Sequence, residues 1–255
     1  MDVKGLLIDL DGVLYVGEKA IPGAREALEH LKEKNYRFRF VSNTTRKCRK
    51  TIAGRLSAMG FDIPEEFIFT PPLAAVRSMQ DTGKKGCYLL VTGDVDRDFA
   101  PVLGGDLPAA VDYVIIGDAG EKLTYGSLNR AFRYLMDGAE LIALEKDRYW
   151  MAPDGLSLSA GPFVAALEFA TGKAAVVMGK PSPSFFELAL RDMGLAAGEV
   201  VMVGDDVLTD IGGAHAAGMA GILVRTGKFR EEVLRSAPVK PFRVIGSIAD
   251  LPGIL

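Results

Sequence analysis

The sequence has few cysteines, few histidines and little excess charge, and each shortage excludes a class of protein. Its 255 residues include two cysteines, Cys48 and Cys87, and two histidines. A secreted disulfide scaffold uses more cysteine, and a Cys/His zinc site or a catalytic thiol needs partners that this composition hardly supplies. The formal net charge of −3 argues against a nucleic-acid partner, because such a partner normally requires an excess of basic residues.

Long apolar segments are also missing. No apolar run approaches the roughly 20 residues that a membrane-spanning helix needs. The apolar stretch near the N-terminus is interrupted by Asp9 and Asp11, so it does not resemble a signal peptide. We therefore expect a soluble, cytoplasmic protein that has no membrane partner.

What the sequence does contain is an alternation of short apolar runs and amphipathic helical segments at both ends of the chain. The predicted strands span residues 5–10, 38–41, 68–69, 174–177, 200–203, 221–224 and 244–245. The predicted helices span residues 22–34, 46–59, 72–79, 183–193 and 210–217. This alternation predicts a parallel sheet with helices on both faces.

The middle of the chain carries a second set of elements. Strands are predicted at 87–91, 113–116 and 141–144, and helices at 123–136 and 163–170. Turn-forming residues at 82–86 and 170–173 are typical of linkers into and out of this region. The predicted fold class is therefore α/β. We expect a core domain formed by residues 1–81 and 174–255, with a second α/β domain inserted at 82–173.

Polar side chains follow four of the predicted strands. They are Asp9 and Asp11 after the first strand, Ser42 and Asn43 after the second, Lys180 after the strand at 174–177, and Asp205 and Asp206 after the strand at 200–203. In an open parallel sheet, ligands bind outside the carboxyl ends of the strands. If these strands are neighbours, all of these side chains meet in one crevice.

Several carboxylates in one crevice repel each other unless a positive charge lies among them. A hard cation such as Mg²⁺ meets this need, because it binds carboxylate oxygens and requires no cysteine or histidine. Lys180 then adds positive charge, and Ser42 and Asn43 add hydrogen bonds, which together suit a phosphate group. The sequence therefore predicts a magnesium site beside a phosphate-binding site.

The two aspartates near the N-terminus suggest how the phosphate would react. A carboxylate with an ordinary pKa of about 4 is ionised at neutral pH, so Asp9 could attack phosphorus without a separate base. The leaving oxygen then needs a proton, and the incoming water must lose one. Asp11, two residues further on, could serve both steps in turn.

Four short motifs carry a resemblance to a known family. They are DLDGVLY at 9–15, VSNTT at 41–45, GKPSP at 179–183 and VGDDVLTD at 203–210. In this order they resemble the four motifs of the haloacid dehalogenase-like hydrolases. Their spacing is similar to that of the branch with a large α/β cap between the second and third motifs, which includes the NagD-type phosphatases. The resemblance implies a Rossmann-like core and an inserted α/β cap domain.

The resemblance also implies catalytic and substrate-binding roles. Asp9 would be the nucleophile and a metal ligand, and Asp11 the general acid and base, with its backbone carbonyl also on the metal. Ser42 and Asn43 would bind the transferring phosphoryl group. Lys180 would neutralise the charge that grows on that group.

The implied cofactor is Mg²⁺, held by Asp9, Asp11 and Asp205. Asp206 or Asp210 would not be one of these direct ligands but would hold them in position. Asp210 has a simpler interpretation as well, because an acid suits the first turn of a helix.

One place in the sequence departs from the family pattern. NagD-type caps often carry an Asn-x-Asp segment near the substrate, whereas the corresponding place here reads Glu145-Lys146-Asp147. The substrate preference of those relatives therefore does not transfer directly.

The expected activity is Mg²⁺-dependent hydrolysis of a small phosphorylated molecule through a phosphoaspartate. A phosphomutase or an inorganic pyrophosphatase on the same scaffold is an alternative, and so is a non-catalytic phosphate-binding or interaction protein. A dehalogenase is disfavoured, since it would need neither a metal nor an acid at Asp11. The family often dimerises through its cap, so a homodimer is a further expectation.

Overall fold

The computed structural model describes residues 2–84, 86–103, 111–152 and 154–255. The chain forms two compact units. The first unit comprises Met1–Ser42, Lys50–Phe69 and Lys180–Leu255, and the second comprises Asn43–Arg49 and Thr70–Gly179. The finer expectation, a core domain with an insert at 82–173, stays a prediction.

Strands and helices alternate along the described residues. The strands are β1 Gly5–Asp9, β2 Tyr15–Val16, β3 Lys19–Ala20, β4 Arg37–Val41, β5 Ile68–Phe69, β6 Cys87–Leu90, β7 Tyr113–Ile116, β8 Glu140–Ala143, β9 Tyr149–Ala152, β10 Gly155–Leu158, β11 Val176–Val177, β12 Val200–Gly204, β13 Ala220–Val224 and β14 Arg243–Ile245. The α-helices are α1 Ala24–Glu33, α2 Arg49–Ala58, α3 Pro71–Thr82, α4 Tyr125–Met136, α5 Gly161–Thr171, α6 Pro183–Met193, α7 Gly212–Ala216 and α8 Glu231–Ser236. A π-helical segment, Val207–Ile211, precedes α7.

Six strands of the first unit form a parallel sheet in the order β14-β13-β12-β1-β4-β5. Strand β1 lies in the middle, where Leu6 pairs with Val201 of β12 and with Phe38 of β4. All residues of β1 and β12 are buried, as expected of central strands in a sheet covered on both faces. The predicted α/β fold class is confirmed.

Helix α1 packs on this sheet because its apolar residues recur at helical spacing. Ala24, Ala27, Leu28 and Leu31 are buried, and they share one core cluster with Ile8 of β1. The polar residues of the helix remain exposed. The spacing that predicted a helix at 22–34 therefore also determines which face is buried.

The second unit contains a smaller parallel sheet in the order β11-β8-β7-β6. Its core includes Val114, Ile116, Leu135, Leu141 and Val164, which come from β7, β8 and the helices α4 and α5. The three strands predicted in the middle of the chain correspond to β6, β7 and β8. An antiparallel hairpin, β9–β10, also belongs to this unit.

The strand predicted at 174–177 does not join the six-stranded sheet, so that prediction was wrong. Its observed part, β11, pairs with β8 of the smaller sheet, where Val176 lies opposite Ile142. A short apolar run indicates a strand but does not identify its neighbour, because any strand edge offers the same backbone hydrogen bonds. Lys180 nevertheless belongs to the first unit.

Candidate active site

Two aspartates lie at one edge of the six-stranded sheet because the strands before them are neighbours. Asp9 is the last residue of β1, and Asp205 directly follows β12. Since β1 and β12 pair in parallel, their carboxyl ends point the same way. Both residues are buried, with Asp9 7% and Asp205 3% exposed. The edge of the sheet therefore holds two carboxylates that are largely removed from water.

A buried lysine joins this pair to a third carboxylate. The Lys180 Nζ donates a hydrogen bond to the Asp9 Oδ1 at 2.5 Å and another to the Asp210 Oδ1 at 2.6 Å. All three residues are buried. Hydrogen bonds between ionised groups are among the strongest in proteins, so Lys180 holds the two acids in place.

The carboxylates of Asp9, Asp205 and Asp210 form a compact oxygen cluster. One carboxylate oxygen from each lies within 4.8 Å of the others. Lys180 supplies a single positive charge against three acids, which leaves an excess of negative charge in a buried place. A site with oxygen donors and excess negative charge fits a hard divalent cation, so these residues fit a metal site.

The pKa values in the cluster reflect burial opposed by neighbouring charge. Burial raises the pKa of Asp9 to about 7, and the Lys180 ammonium opposes the shift. Burial raises the pKa of Asp205 to about 6, opposed by the hydrogen bond from the Lys228 backbone. Burial would lower the pKa of Lys180, but the carboxylates of Asp210 and Asp9 raise it above its usual value. At neutral pH the lysine is therefore charged, and a further cation would favour ionisation of Asp9 and Asp205.

Two glycines make room for this cluster. Gly12 has a φ of 84°, and a Cβ there would overlap the carboxylate of Asp205. A Cβ at Gly204 would overlap the carboxylate of Asp210. Glycine at both positions lets the acids approach the backbone closely.

The remaining acids of the motifs lie in different surroundings. Asp11 is exposed, and its neighbour Gly12 donates a backbone hydrogen bond to the Tyr15 carbonyl at 2.7 Å. The Asp206 Oδ1 accepts hydrogen bonds from the Leu208 and Thr209 amides at 2.8 and 3.0 Å. Asp206 thus caps the π-helical segment, whereas Asp210 lies in the oxygen cluster.

Ser42 and Asn43 follow β4, the other neighbour of β1. The Ser42 amide donates to the Phe69 carbonyl at 3.2 Å, which holds the residue beside the end of β5. Ser42 belongs to the first unit and Asn43 to the second. In the second unit, the Asn43 side chain lies so close to Gly179 that a Cβ there would be 3.1 Å from the Asn43 Oδ1.

The sequence did not predict a role for the loop 226–228, which contacts the cluster. The Lys228 amide donates to the Asp205 Oδ2 at 2.6 Å, and the Thr226 Oγ1 donates to the Gly12 carbonyl at 2.5 Å. This loop follows β13, so it emerges at the same edge of the sheet. The available signal was the set of polar residues that follow the strand predicted at 221–224.

Glu145, noted as a departure from the family pattern, is a buried residue of the second unit. Its carboxylate accepts hydrogen bonds from the Ser159 Oγ at 2.6 Å, the Ala160 amide at 2.9 Å and the Asp147 amide at 2.5 Å. Burial raises the pKa of Glu145, and the Ser159 hydrogen bond opposes the shift. The side chain therefore orders the loop before β9 and the start of α5.

A search of curated proteins finds close relatives along most of the chain. A protein from Bos taurus called haloacid dehalogenase-like hydrolase domain-containing protein 2 is 45% identical over 239 residues, covering 92% of this chain and 90% of the relative. The chain belongs to the haloacid dehalogenase-like hydrolase family. A human relative of this hydrolase, named phospholysine phosphohistidine inorganic pyrophosphate phosphatase, is 39% identical over 259 residues, with 99% and 94% covered.

Family models and solved structures agree with this assignment. The model described as haloacid dehalogenase-like hydrolase matches residues 6–103, and one described as HAD-hydrolase-like matches 177–251. NagD from E. coli K-12 is 27% identical, with 98% of both chains covered and a TM-score of 0.87. A p-nitrophenyl phosphatase from Archaeoglobus fulgidus is 28% identical, with 100% of both chains covered and a TM-score of 0.89. The predicted membership in the NagD-type branch is confirmed, and the protein is a hydrolase.

No helix among the described residues combines the length and the apolar composition that a bilayer-spanning helix needs.

Proposed function

We propose that this hydrolase is a Mg²⁺-dependent phosphatase that cleaves a small phosphorylated substrate through a phosphoaspartate on Asp9. One observation carries the proposal: Lys180 donates hydrogen bonds to Asp9 and Asp210, and Asp205 lies beside them. A carboxylate nucleophile and a fixed ammonium suit phosphoryl transfer, because positioning and charge neutralisation account for most of its catalysis.

Asp9 would act as the nucleophile. Its carboxylate oxygen would attack phosphorus while the bond from phosphorus to the leaving oxygen breaks. The hydrogen bond from Lys180 holds the Asp9 side chain in one orientation, which lowers the entropy lost on reaction. The same ammonium would offset negative charge on the phosphoryl oxygens, and Ser42 and Asn43 would donate hydrogen bonds to them.

Asp11 would move the protons in both half-reactions. It would first protonate the leaving oxygen and then take a proton from the water that attacks the phosphoaspartate. The exposure of Asp11 supports this role, because a leaving group and a water can both reach it. The second half-reaction would release inorganic phosphate and restore the Asp9 carboxylate.

Asp9, Asp205 and the backbone carbonyl of Asp11 would hold Mg²⁺, with Asp210 close to them. When bound, the ion would offset the excess negative charge and polarise the phosphoryl oxygens. Asp206 would keep the chain after Asp205 in position through the two amides that it caps. We further propose that residues 82–173 form an inserted α/β cap domain.

The proposed substrate class is a small phosphate ester or anhydride. The name of the human relative includes inorganic pyrophosphate, and that of the Archaeoglobus fulgidus structure includes p-nitrophenyl phosphatase. Inorganic pyrophosphate and p-nitrophenyl phosphate are therefore suitable first substrates. Turnover of pyrophosphate would favour the pyrophosphatase form of the same chemistry.

The experiment that tests this proposal measures phosphate release by the wild type and by Asp9→Asn, with Mg²⁺ and with EDTA. We expect release to require Mg²⁺ and to fall by roughly 10³-fold or more in the variant, as when a catalytic nucleophile is removed. Asp2→Asn, an exposed acid of the first unit, is the matched control and should retain full activity.

Other outcomes separate the alternatives. Equal activity of Asp9→Asn and wild type would contradict the assigned nucleophile. Retention of the phosphate on a sugar product would indicate a phosphomutase. A lack of release across a broad panel of phosphate esters and pyrophosphate would favour a binding protein.

A further inference from the structure

A pocket of about 220 Å³ opens beside the candidate metal ligands, within the first unit. Its lining includes two acids, Asp205 and Asp206, and two cations, Lys228 and Arg230, together with apolar side chains such as Phe229. The volume lies below that of a typical drug-sized site, so the pocket suits a small group. Because it shares Asp205 with the oxygen cluster, it adjoins the place where the chemistry is proposed.

The loop that carries Lys228 is held against the cluster by several contacts. The Lys228 amide donates to the Asp205 Oδ2 at 2.6 Å, and the Thr226 Oγ1 donates to the Gly12 carbonyl at 2.5 Å. Gly227 has a φ of 59°, and a Cβ there would overlap both Asp205 and Gly12. The backbone position from which the Lys228 side chain starts is therefore defined by the cluster itself.

The two cations of the pocket still have N–H donors available to a ligand. The Lys228 ammonium makes no hydrogen bond or ion pair within the described ranges, and its charge acts to lower the pKa of Asp205. Arg230 uses its Nη1 for the carbonyls of Phe229 at 2.7 Å and Gly227 at 3.5 Å. A guanidinium has five N–H donors, so others remain for a ligand.

The acids of the pocket accept hydrogen bonds from backbone amides. The Asp205 Oδ2 accepts the Lys228 amide, and the Asp206 Oδ1 accepts the amides of Leu208 and Thr209. A carboxylate that accepts backbone amide hydrogen bonds repels an incoming anion less than one without such bonds, because the amide dipoles offset part of its charge. The pocket therefore presents two cations with unused donors, and two acids that each accept backbone amide hydrogen bonds through one oxygen.

We propose that Lys228 and Arg230 bind a second anionic group of the substrate, a carboxylate or a phosphate. This inference rests on the proposed function. A substrate with its phosphorus at Asp9 could extend into the pocket, because an Asp9 carboxylate oxygen lies within 4.8 Å of one of Asp205, which lines it. The substrate class is narrowed to phosphate esters or anhydrides that carry another negative charge near the scissile bond.

The test compares kcat/KM for three matched substrates: phenyl phosphate, 3-carboxyphenyl phosphate and 3-phosphonophenyl phosphate. We expect the wild type to prefer the two charged compounds. Lys228→Met and Arg230→Met should each reduce that preference by about tenfold to a hundredfold, the worth of a charge-assisted hydrogen bond. Their kcat/KM should fall less for phenyl phosphate than for either charged compound.

Two further variants separate recognition from a general structural effect. Lys228→Arg retains the charge and should retain the preference. Lys34→Met removes an exposed lysine at the end of α1 and should change none of the three rates. Thermal unfolding shows whether each variant is folded; the Lys228 side chain can be shortened without loss of the backbone bond to Asp205.

Different kinetic results would contradict the anionic site and the proposed phosphatase activity. An unchanged preference in both methionine variants, or an equal loss on all three substrates, would overturn the anionic site while leaving the phosphatase proposal in place. A wild type that releases no phosphate from any of the three would count against the proposed function and the inference together. Loss of preference for only one charged compound would support the site and identify its anion.

Discussion

Lys180 is the residue on which the charge of the candidate site depends. Its ammonium is the cation that hydrogen-bonds Asp9 and Asp210. Burial alone would lower its pKa, but the two acids raise it. Lys180 is therefore charged at neutral pH because the acids lie beside it, and its ammonium favours the charged form of Asp9.

Lys180→Met should destabilise the metal-free protein at pH 8. Removing one partner of a buried ion pair leaves the other uncompensated, and this typically costs about 3–5 kcal/mol. Urea unfolding in EDTA measures the effect, with the exposed Lys34→Met as a control. A variant as stable as the wild type would show that the acids do not depend on this ammonium.

Cys87 should react slowly with alkylating reagents. Burial raises the pKa of its thiol to about 11 from 9.0, so at pH 8 the thiolate is about a hundredfold scarcer than in the unfolded chain. The rate should rise about tenfold per pH unit up to a pH near that pKa. Iodoacetamide labelling followed by peptide mass spectrometry separates Cys87 from Cys48. A rate independent of folding would disprove the shift.

At the scale of elements, the turn after β12 brings Asp210 to the site. Val207–Ile211 is π-helical, and its start is capped by Asp206. The Asp206 amide also donates to the Asp210 Oδ2 at 3.2 Å. The wide turn thus places Asp210 back over the end of the strand, where Gly204 leaves room for it.

Gly204→Ala should destabilise the protein by roughly 1–3 kcal/mol, as overpacking of a filled site does. The added Cβ would overlap the Asp210 carboxylate, so phosphatase activity should fall as well. Gly198→Ala, just before β12, is the matched control, because a Cβ there meets nothing within 4 Å. Chemical unfolding and phosphate release are the readouts. Equal stability of the two variants would show that Asp210 moves away freely.

At the scale of the whole molecule, a metal should link the site to stability. A ligand that binds the folded state alone stabilises it, by about 2.7 kcal/mol at a concentration of 100 Kd. The midpoint of thermal unfolding should therefore be higher in Mg²⁺ than in EDTA at matched ionic strength. Asp205→Asn should reduce the increase, and Asp2→Asn should retain it. A wild type that gains nothing from Mg²⁺ would argue against the proposed metal.

The assembly state is a further property of the whole molecule. The expected homodimer stays a prediction, which sedimentation velocity would test. The exposed apolar side chains of the β9–β10 hairpin, such as Met151 and Leu156, are places to introduce charge in that experiment.

The sequence by itself determined the strands and helices that carry the motifs, and it indicated the chemistry of Asp9, Asp205 and Lys180. Helical spacing, buried apolar runs and residue chemistry are local properties, so they can be read without a fold. Only the tertiary structure decided that β11 joins the smaller sheet, that Asp210 meets Lys180 and that the loop at Lys228 reaches Asp205. These contacts join residues that are 23 to 34 positions apart in the chain. They depend on how the packed elements position those residues, which no local pattern records.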